Sequence, residues 1–151
     1  MLGGYNLRSG YVISKTLLGL SIVAMLFSGC DTKNIAIKGY DPVAYFMQGK
    51  AVKGNPGISF QWHNATWFFS SIENSNLFAT APAYYAPQYD GYCAWAMSEG
   101  RKAQADPEVW KYFNGKLYLN CSKVALEKFN KDIWGNIKKA DENWLKLSKK
   151  K

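Results

Sequence analysis

The rhythm of apolar and polar positions changes several times along the 151 residues. An almost unbroken apolar run over 16–27 gives way at Asp31 to polar, turn-rich sequence. Further on, Ile58-Ser59-Phe60-Gln61-Trp62 alternates apolar and polar, and Ala65-Thr66-Trp67-Phe68-Phe69 does so more loosely. His63-Asn64 lies between the two segments, which predicts a β-hairpin. A second hairpin is predicted over 109–113 and 116–121, turning at Asn114-Gly115, the dipeptide best suited to a tight two-residue turn. Ile35-Ala36-Ile37 is a brief strand candidate. Asp41 is placed to cap a helix with Pro42 at its first position, giving one or two turns to Met47 and a stop at Gly49. The stretch 51–57 reads as loop. Ser70 or Ser71 caps a helix with Ile72, Leu77 and Phe78 on its apolar face, closed by Pro82. From Ser122 the pattern is helical through Val124, Leu126, Phe129, Ile133 and Trp134. It breaks at Gly135 and resumes with Ile137, Ala140, Trp144 and Leu147. No internal repeat stands out. These elements predict an α+β fold: a small antiparallel sheet built from two β-hairpins, packed by short helices and a helical C-terminus.

The first 29 residues have a different character. Arg8 and Lys15 are their only charges, the apolar run follows, and small Ser28 and Gly29 precede Cys30. A positive start, a short apolar stretch and small residues at the cut are the marks of a secretory signal. The cysteine directly after them makes it a lipoprotein-type signal, cleaved after Gly29, with a lipid on Cys30. The run is shorter than the roughly 18–20 apolar residues a membrane span needs. The expected organisation is a signal peptide over 1–29, a lipidated tether over 30–34, a folded domain over 35–147 and a basic tail over 148–151. The expected address is the cell envelope, lipid-anchored at the periplasmic or extracytoplasmic face of the membrane.

Charge and aromatics narrow the picture. Of nineteen basic residues two lie in the signal, leaving seventeen against eleven acidic, or +6. Residues 101–151 alone hold thirteen basic and six acidic residues. The lysines are spread along helical sequence rather than gathered around stacking aromatics, and the export signal argues further against a nucleic-acid partner. A basic face beside an anionic bilayer fits better, each lysine near it contributing about 1 kcal/mol. Six Trp, ten Tyr and eight Phe supply a substantial core.

Three separated motifs in order, Gly39-Tyr40-Asp41-Pro42-Val43-Ala44-Tyr45-Phe46, Ala65-Thr66-Trp67-Phe68-Phe69-Ser70-Ser71 and Tyr85-Ala86-Pro87-Gln88-Tyr89-Asp90-Gly91-Tyr92-Cys93-Ala94, resemble the YHS-domain family, in particular its exported single-domain bacterial branch. Gly115-Lys116-Leu117-Tyr118-Leu119-Asn120 and Ala140-Asp141-Glu142-Asn143-Trp144 fit the same branch. The wider family includes metal-linked modules whose pattern places thiols after Asp-Pro-Val and at a later pair four residues apart. Such thiolates suit soft ions, Cu(I) or Zn(II). Here Ala44, Ser70 and Asn74 stand at those positions, so the metal function is not carried over to them. The resemblance also implies that Cys93 falls where some members of the branch carry selenocysteine, which points to redox chemistry or soft-metal binding there.

Cys93 is therefore the candidate metal ligand, for Cu or Zn, with Tyr89, Tyr92, Trp95 and Met97 near it in sequence. Cys93 and Cys121 form a candidate disulfide, closing a loop of roughly thirty residues. His63, the single histidine, reads as a hairpin-tip residue. No Gly-rich phosphate loop, HExxH or CxxC is present, and the balance leans away from an enzyme. The expected function is a non-enzymatic accessory binding a soft metal or small ligand near Cys93, its partners being the membrane, through Cys30, and a metal ion or an envelope protein. The alternatives are a structural or interaction module with inert or disulfide-bonded cysteines, and a thiol redox protein using Cys93.

Overall fold

The structure, a computed structural model, describes residues 34–149. The signal over 1–29, Cys30 and the end of the basic tail lie outside the described residues. The fold is α+β. Its two hairpins form two separate two-stranded antiparallel sheets rather than the single small sheet expected.

The chain builds one unit twice, which corrects the reading that no repeat is present. Each unit starts with a tight left-handed bend. In the first, Ile37 and Lys38 take φ of 39° and 54° and Gly39 follows at 76°; in the second, Tyr89 and Asp90 take 59° and 52° and Gly91 follows at 77°. Ile35-Ala36-Ile37 is thus no strand; only Ile35 makes a bridge, to Thr66. A tyrosine follows each bend, then a capping residue, Asp41 or Cys93, and a short helix, α1 (Ala44–Met47) or, in the second unit, α4 (Ala94–Ser98). The capping residue's N–H donates to Val52 O at 2.8 Å in one unit and, from Cys93, to Ala103 O at 2.9 Å in the other.

A hairpin comes next: β1 (Asn55–Trp62) with β2 (Ala65–Phe69), then β3 (Asp106–Phe113) with β4 (Lys116–Asn120). Both slip register at the same place, between Asn55 and Ser59 and between Asp106 and Trp110. Both turn through two left-handed residues, His63-Asn64 and Asn114-Gly115, the geometry that matches strand twist. Each unit closes with a serine-capped helix. Ser71 Oγ accepts the Asn74 N–H at the start of α2 (Ile72–Thr80), and Ser122 Oγ accepts the Ala125 N–H at the start of α5 (Lys123–Lys131).

Helix α2 ends before Pro82, as expected, and Pro82 then opens a further single turn, α3 (Pro82–Tyr85). Its counterpart after α5 is the long α6 (Ile133–Ser148). The helix break falls at Asp132, whose carboxylate accepts the Gly135 N–H at 3.0 Å; Gly135 itself is helical, contrary to expectation. Three other residues of the expected apolar faces, Ile72, Val124 and Trp134, point outward at 63%, 59% and 62% exposure.

A two-stranded hairpin is marginal alone, so packing must supply the rest. Trp67, Phe69 and Phe78 fill the first unit, and Tyr118, Phe129 and Met97 with Ile137 and Ala140 of α6 fill the second. Tyr45, Cys93, Leu117 and Leu119 fill the seam between units. Across it, α1 packs on β3: the Tyr45 hydroxyl donates to Pro107 O at 2.9 Å and its ring meets Trp110 edge-on at 5.3 Å. The equivalent helix α4 has no third hairpin to pack on. Helix α6 covers it instead, its Asn143 amide donating to Met97 O and Ser98 O at 3.0 and 3.2 Å. At the opposite end, Ser59 and Gln61 of β1 stand where β3 carries Trp110 and Tyr112. The array thus ends in a helix at one side and polar residues at the other, as terminal repeats do.

Candidate functional site

Three features carry chemistry: a buried node in each unit and a cleft between them. The first node is Asp41, fully buried. Its Oδ1 accepts the N–H groups of Val43 (2.9 Å) and Ala44 (3.3 Å), which starts α1. Its Oδ2 accepts the Ser70 N–H (2.7 Å), the Ser70 hydroxyl (2.6 Å) and the Asn74 amide (2.7 Å). Ala44, Ser70 and Asn74 thus meet around one carboxylate. The node is a closed hydrogen-bond network tying the entry to α1, the end of β2 and the start of α2. Asn74 is buried on α2 to complete it, where the apolar periodicity alone pointed to Ile72.

Cys93 occupies the Asp41 position of the second unit. It is fully buried, and its Sγ accepts the Cys121 N–H at 3.1 Å and the Ala96 N–H at 3.5 Å. Burial pushes the thiol up; the Ala96 amide opposes that, and the Cys121 side chain beside it adds to the rise. A thiol held protonated in a core is a poor nucleophile and a poor soft-ion ligand. Cys121, the Ser70 counterpart, is exposed, and the structure brings the two cysteines together as free thiols. Among the described residues no group of three or more His, Cys, Asp or Glu is placed to hold a metal ion. Met97, the possible thioether partner, is buried in the second unit's core. Asn120 sits against Cys93, accepts the Trp95 N–H at 3.2 Å, and leaves its own buried Nδ2 without a partner.

The third feature is a cleft lined by residues of both units. Its volume is about 700 Å³, and both left-handed bends form its floor, Ala36–Lys38 from one unit and Gln88–Tyr92 from the other. Left-handed backbone at a non-glycine residue costs roughly 1–2 kcal/mol, most at a β-branched residue such as Ile37. Two copies of this strained bend therefore converge on one cavity. One wall is the tip of the first hairpin, where the His63 ring lies flat on Trp62 at 3.8 Å and 10°. Tyr92 and Trp144 also line it, with Lys102 Nζ over the two rings at 5.4 and 5.2 Å. Asn34, Asn64 and Gln104 add amides at the rim. The Asn34 amide donates to the Asn64 carbonyl.

Sequence reasoning placed Tyr89 and Tyr92 near a ligand, and both line this cleft. It passed over His63 and Trp62 at the hairpin tip, which also line the cleft. The one available signal was the recurrence of Gly-Tyr and of Asn-Pro/Asp-Pro about 51–52 residues apart, at Gly39 and Gly91 and at Pro56 and Pro107. Compared with family models, curated proteins and solved structures, the chain matches none.

Proposed function

We propose that the protein is an exported, lipid-anchored, YHS-like domain that binds a small ligand non-catalytically in the cleft between its two units. The observation that carries this reading is the convergence of two strained left-handed bends, one from each unit, on a single aromatic and amide-lined cavity. Backbone strain of this kind persists where the surrounding fold over-determines it, and it concentrates at binding sites. A cavity of this size, built mostly in advance, is the usual form of a small-molecule site. The cysteines support the site from behind, since Leu119 and Ala105 stand between the Cys93 side chain and the cleft floor.

The test is a ligand screen of the full chain in lipid nanodiscs, using a library of small polar fragments read by the tryptophan indole N–H resonances. Binding at the cleft shifts Trp62 and Trp144 and leaves Trp110 in place. Hits that avoid both indoles, or none at millimolar concentration, overturn the reading. A second reading, an interaction module, draws on the exposed apolar patch of Met47, Tyr84 and Tyr112, which are 61, 53 and 44% exposed around a cavity of about 400 Å³. It predicts that Tyr112→Ser and Met47→Ser raise solubility while leaving ligand binding intact.

A further inference from the structure

We infer that the outer face of α6 lies on an anionic lipid surface, with Trp134 and Leu145 seated at headgroup level and lysines beside them; this rests on the membrane address in the reading above, not on its cleft.

The helix has two unlike faces. Ile137, Ala140, Trp144 and Leu147 pack into the second unit's core, so α6 is not free to enter a bilayer and can only lie along one. Away from that core, Trp134 and Leu145 stay 62 and 60% exposed. Eleven positions apart at 3.6 residues per turn, they fall within about 20° of each other and roughly 16 Å apart along the axis. The Trp134 ring meets Phe113 edge-on at 5.0 Å, which fixes its direction without covering it. Single exposed apolar side chains are ordinary on a protein surface. Two on one stripe are a different case when one is tryptophan, whose apolar body and polar N–H suit a membrane–water boundary.

The charge around the stripe selects the lipid. Lys138 and Lys149 follow Trp134 and Leu145 by four positions each, one turn further along the same face, and both are exposed. Lys139 and Lys146 are exposed on its flank, as is Lys131 at the end of α5. From 138 to 151 the chain holds six lysines against two carboxylates. One of the two, Asp141, accepts the Tyr89 hydroxyl at 2.9 Å. Apolar side chains flanked by ammonium groups complement anionic headgroups over acyl chains, and each lysine stem adds apolar contact while its charge stays in water. A ridge with protruding Trp and Leu suits such a deformable surface, which needs no preformed hollow to receive them.

The tether brings this face within reach. Asn34 lines the same cleft as Trp144, the residue before Leu145 on α6. Four peptide steps lead back from Asn34 to Cys30, at most about 14 Å. A lipid on Cys30 therefore keeps α6 near the bilayer, where a weak contact is favoured by its high effective concentration. The lipid sets retention, and α6 sets how the domain lies.

The experiment places the full chain, isolated from its envelope, in nanodiscs of phosphatidylcholine with and without phosphatidylglycerol, using lipids brominated near the top of the acyl chains. Bromine quenches indole fluorescence on contact. Trp134→Phe removes the reporting indole while keeping a ring against Phe113. The expected result is quenching in the anionic discs that is largely lost in Trp134→Phe and at high salt. Lys138→Gln and Lys149→Gln, at exposed side chains outside the core, each shift the docked-to-undocked ratio about fivefold toward undocked, one lysine's share at an anionic surface. Quenching that is unchanged by Trp134→Phe, or equal in both kinds of disc, overturns the inference. An acylated chain retained in the discs without quenching also overturns it and leaves the anchor standing. An unacylated chain that brominated phosphatidylglycerol vesicles still quench through Trp134 keeps the α6 contact and overturns the anchor; if they do not quench it, both fall.

Discussion

Replacing Asp41 by alanine tests the most consequential claim about this fold, that a single buried carboxylate holds the first unit together. Five hydrogen bonds end on it: two from the start of α1, two from Ser70 and one from Asn74. Hydrogen bonds to a charged group contribute about 1.5–3 kcal/mol each, and leaving a buried donor unpaired costs a similar amount. Bonds that share one acceptor do not add, and water entering the space left by the carboxylate recovers part of the loss. The working figure is therefore about 4–6 kcal/mol, a large part of the roughly 5–15 kcal/mol that stabilises a domain. The same change in the second unit, Cys93→Ala, removes one sulfur that accepts two weak bonds, and its expected cost is about 1–2 kcal/mol. Urea unfolding of both variants, followed by far-UV circular dichroism at pH 7, measures the contrast. Asp41→Asn serves as the intermediate case, since it keeps one acceptor oxygen but turns an amide toward existing donors. A loss below about 2 kcal/mol for Asp41→Ala, or an equal loss for Cys93→Ala, refutes the assignment of Asp41 as the stronger node.

The cysteines differ sharply in access. Under native conditions Cys121 is expected to react with iodoacetamide while Cys93 stays unmodified until denaturant is added; labelling of Cys93 in the folded protein would contradict its burial. Intact mass of the protein from its envelope is expected to show a chain beginning at Cys30 with acyl groups attached, and an unmodified N-terminal Met1 would refute the anchor. The strain at the cleft floor predicts that Lys38→Gly, at φ 54°, raises stability by about 0.5–1 kcal/mol. Gly91→Ala should instead lower it by at least about 1 kcal/mol, because its new Cβ would lie 2.8 Å from Ile37 Cγ2 at φ +77°; both are read by urea titration. Burial, and after it the Asp141 carboxylate, pushes Tyr118 up to about 12. A raised folded value favours the protonated native state, so the contribution is intact below the ordinary tyrosine value of about 10 and is lost as pH climbs through about 12. Stability measured between pH 9 and 11.5 should fall, and a flat profile would refute the shift.

What was legible in the sequence follows from how local each signal is. Both hairpins could be placed because their turns demand left-handed residues and their strands alternate, and both features are printed within ten residues. The capping serines and Asp41 were visible for the same reason. Gly135 was misread because glycine is a common helix stop, yet Asp132 three residues earlier supplies the side chain that starts α6, and a cap with its own hydrogen bond outweighs a weak helix former. The duplication was hidden because the two copies agree in backbone and differ in chemistry. Asp41 and Cys93, Ser70 and Cys121, and Asn74 and Ala125 hold corresponding places, and none of these pairs is alike. That divergence explains the disguise. The first unit has a polar node, with five hydrogen bonds ending on Asp41. The second has sulfur and apolar residues at the node and packs its α4 against α6. The cleft needs both: the first unit supplies the hairpin tip with Trp62 and His63, while the second supplies Tyr92 and, through α6, Trp144. The lining comes from both units, so under the proposed function a ligand held there would depend on the differences between the copies rather than on what they share.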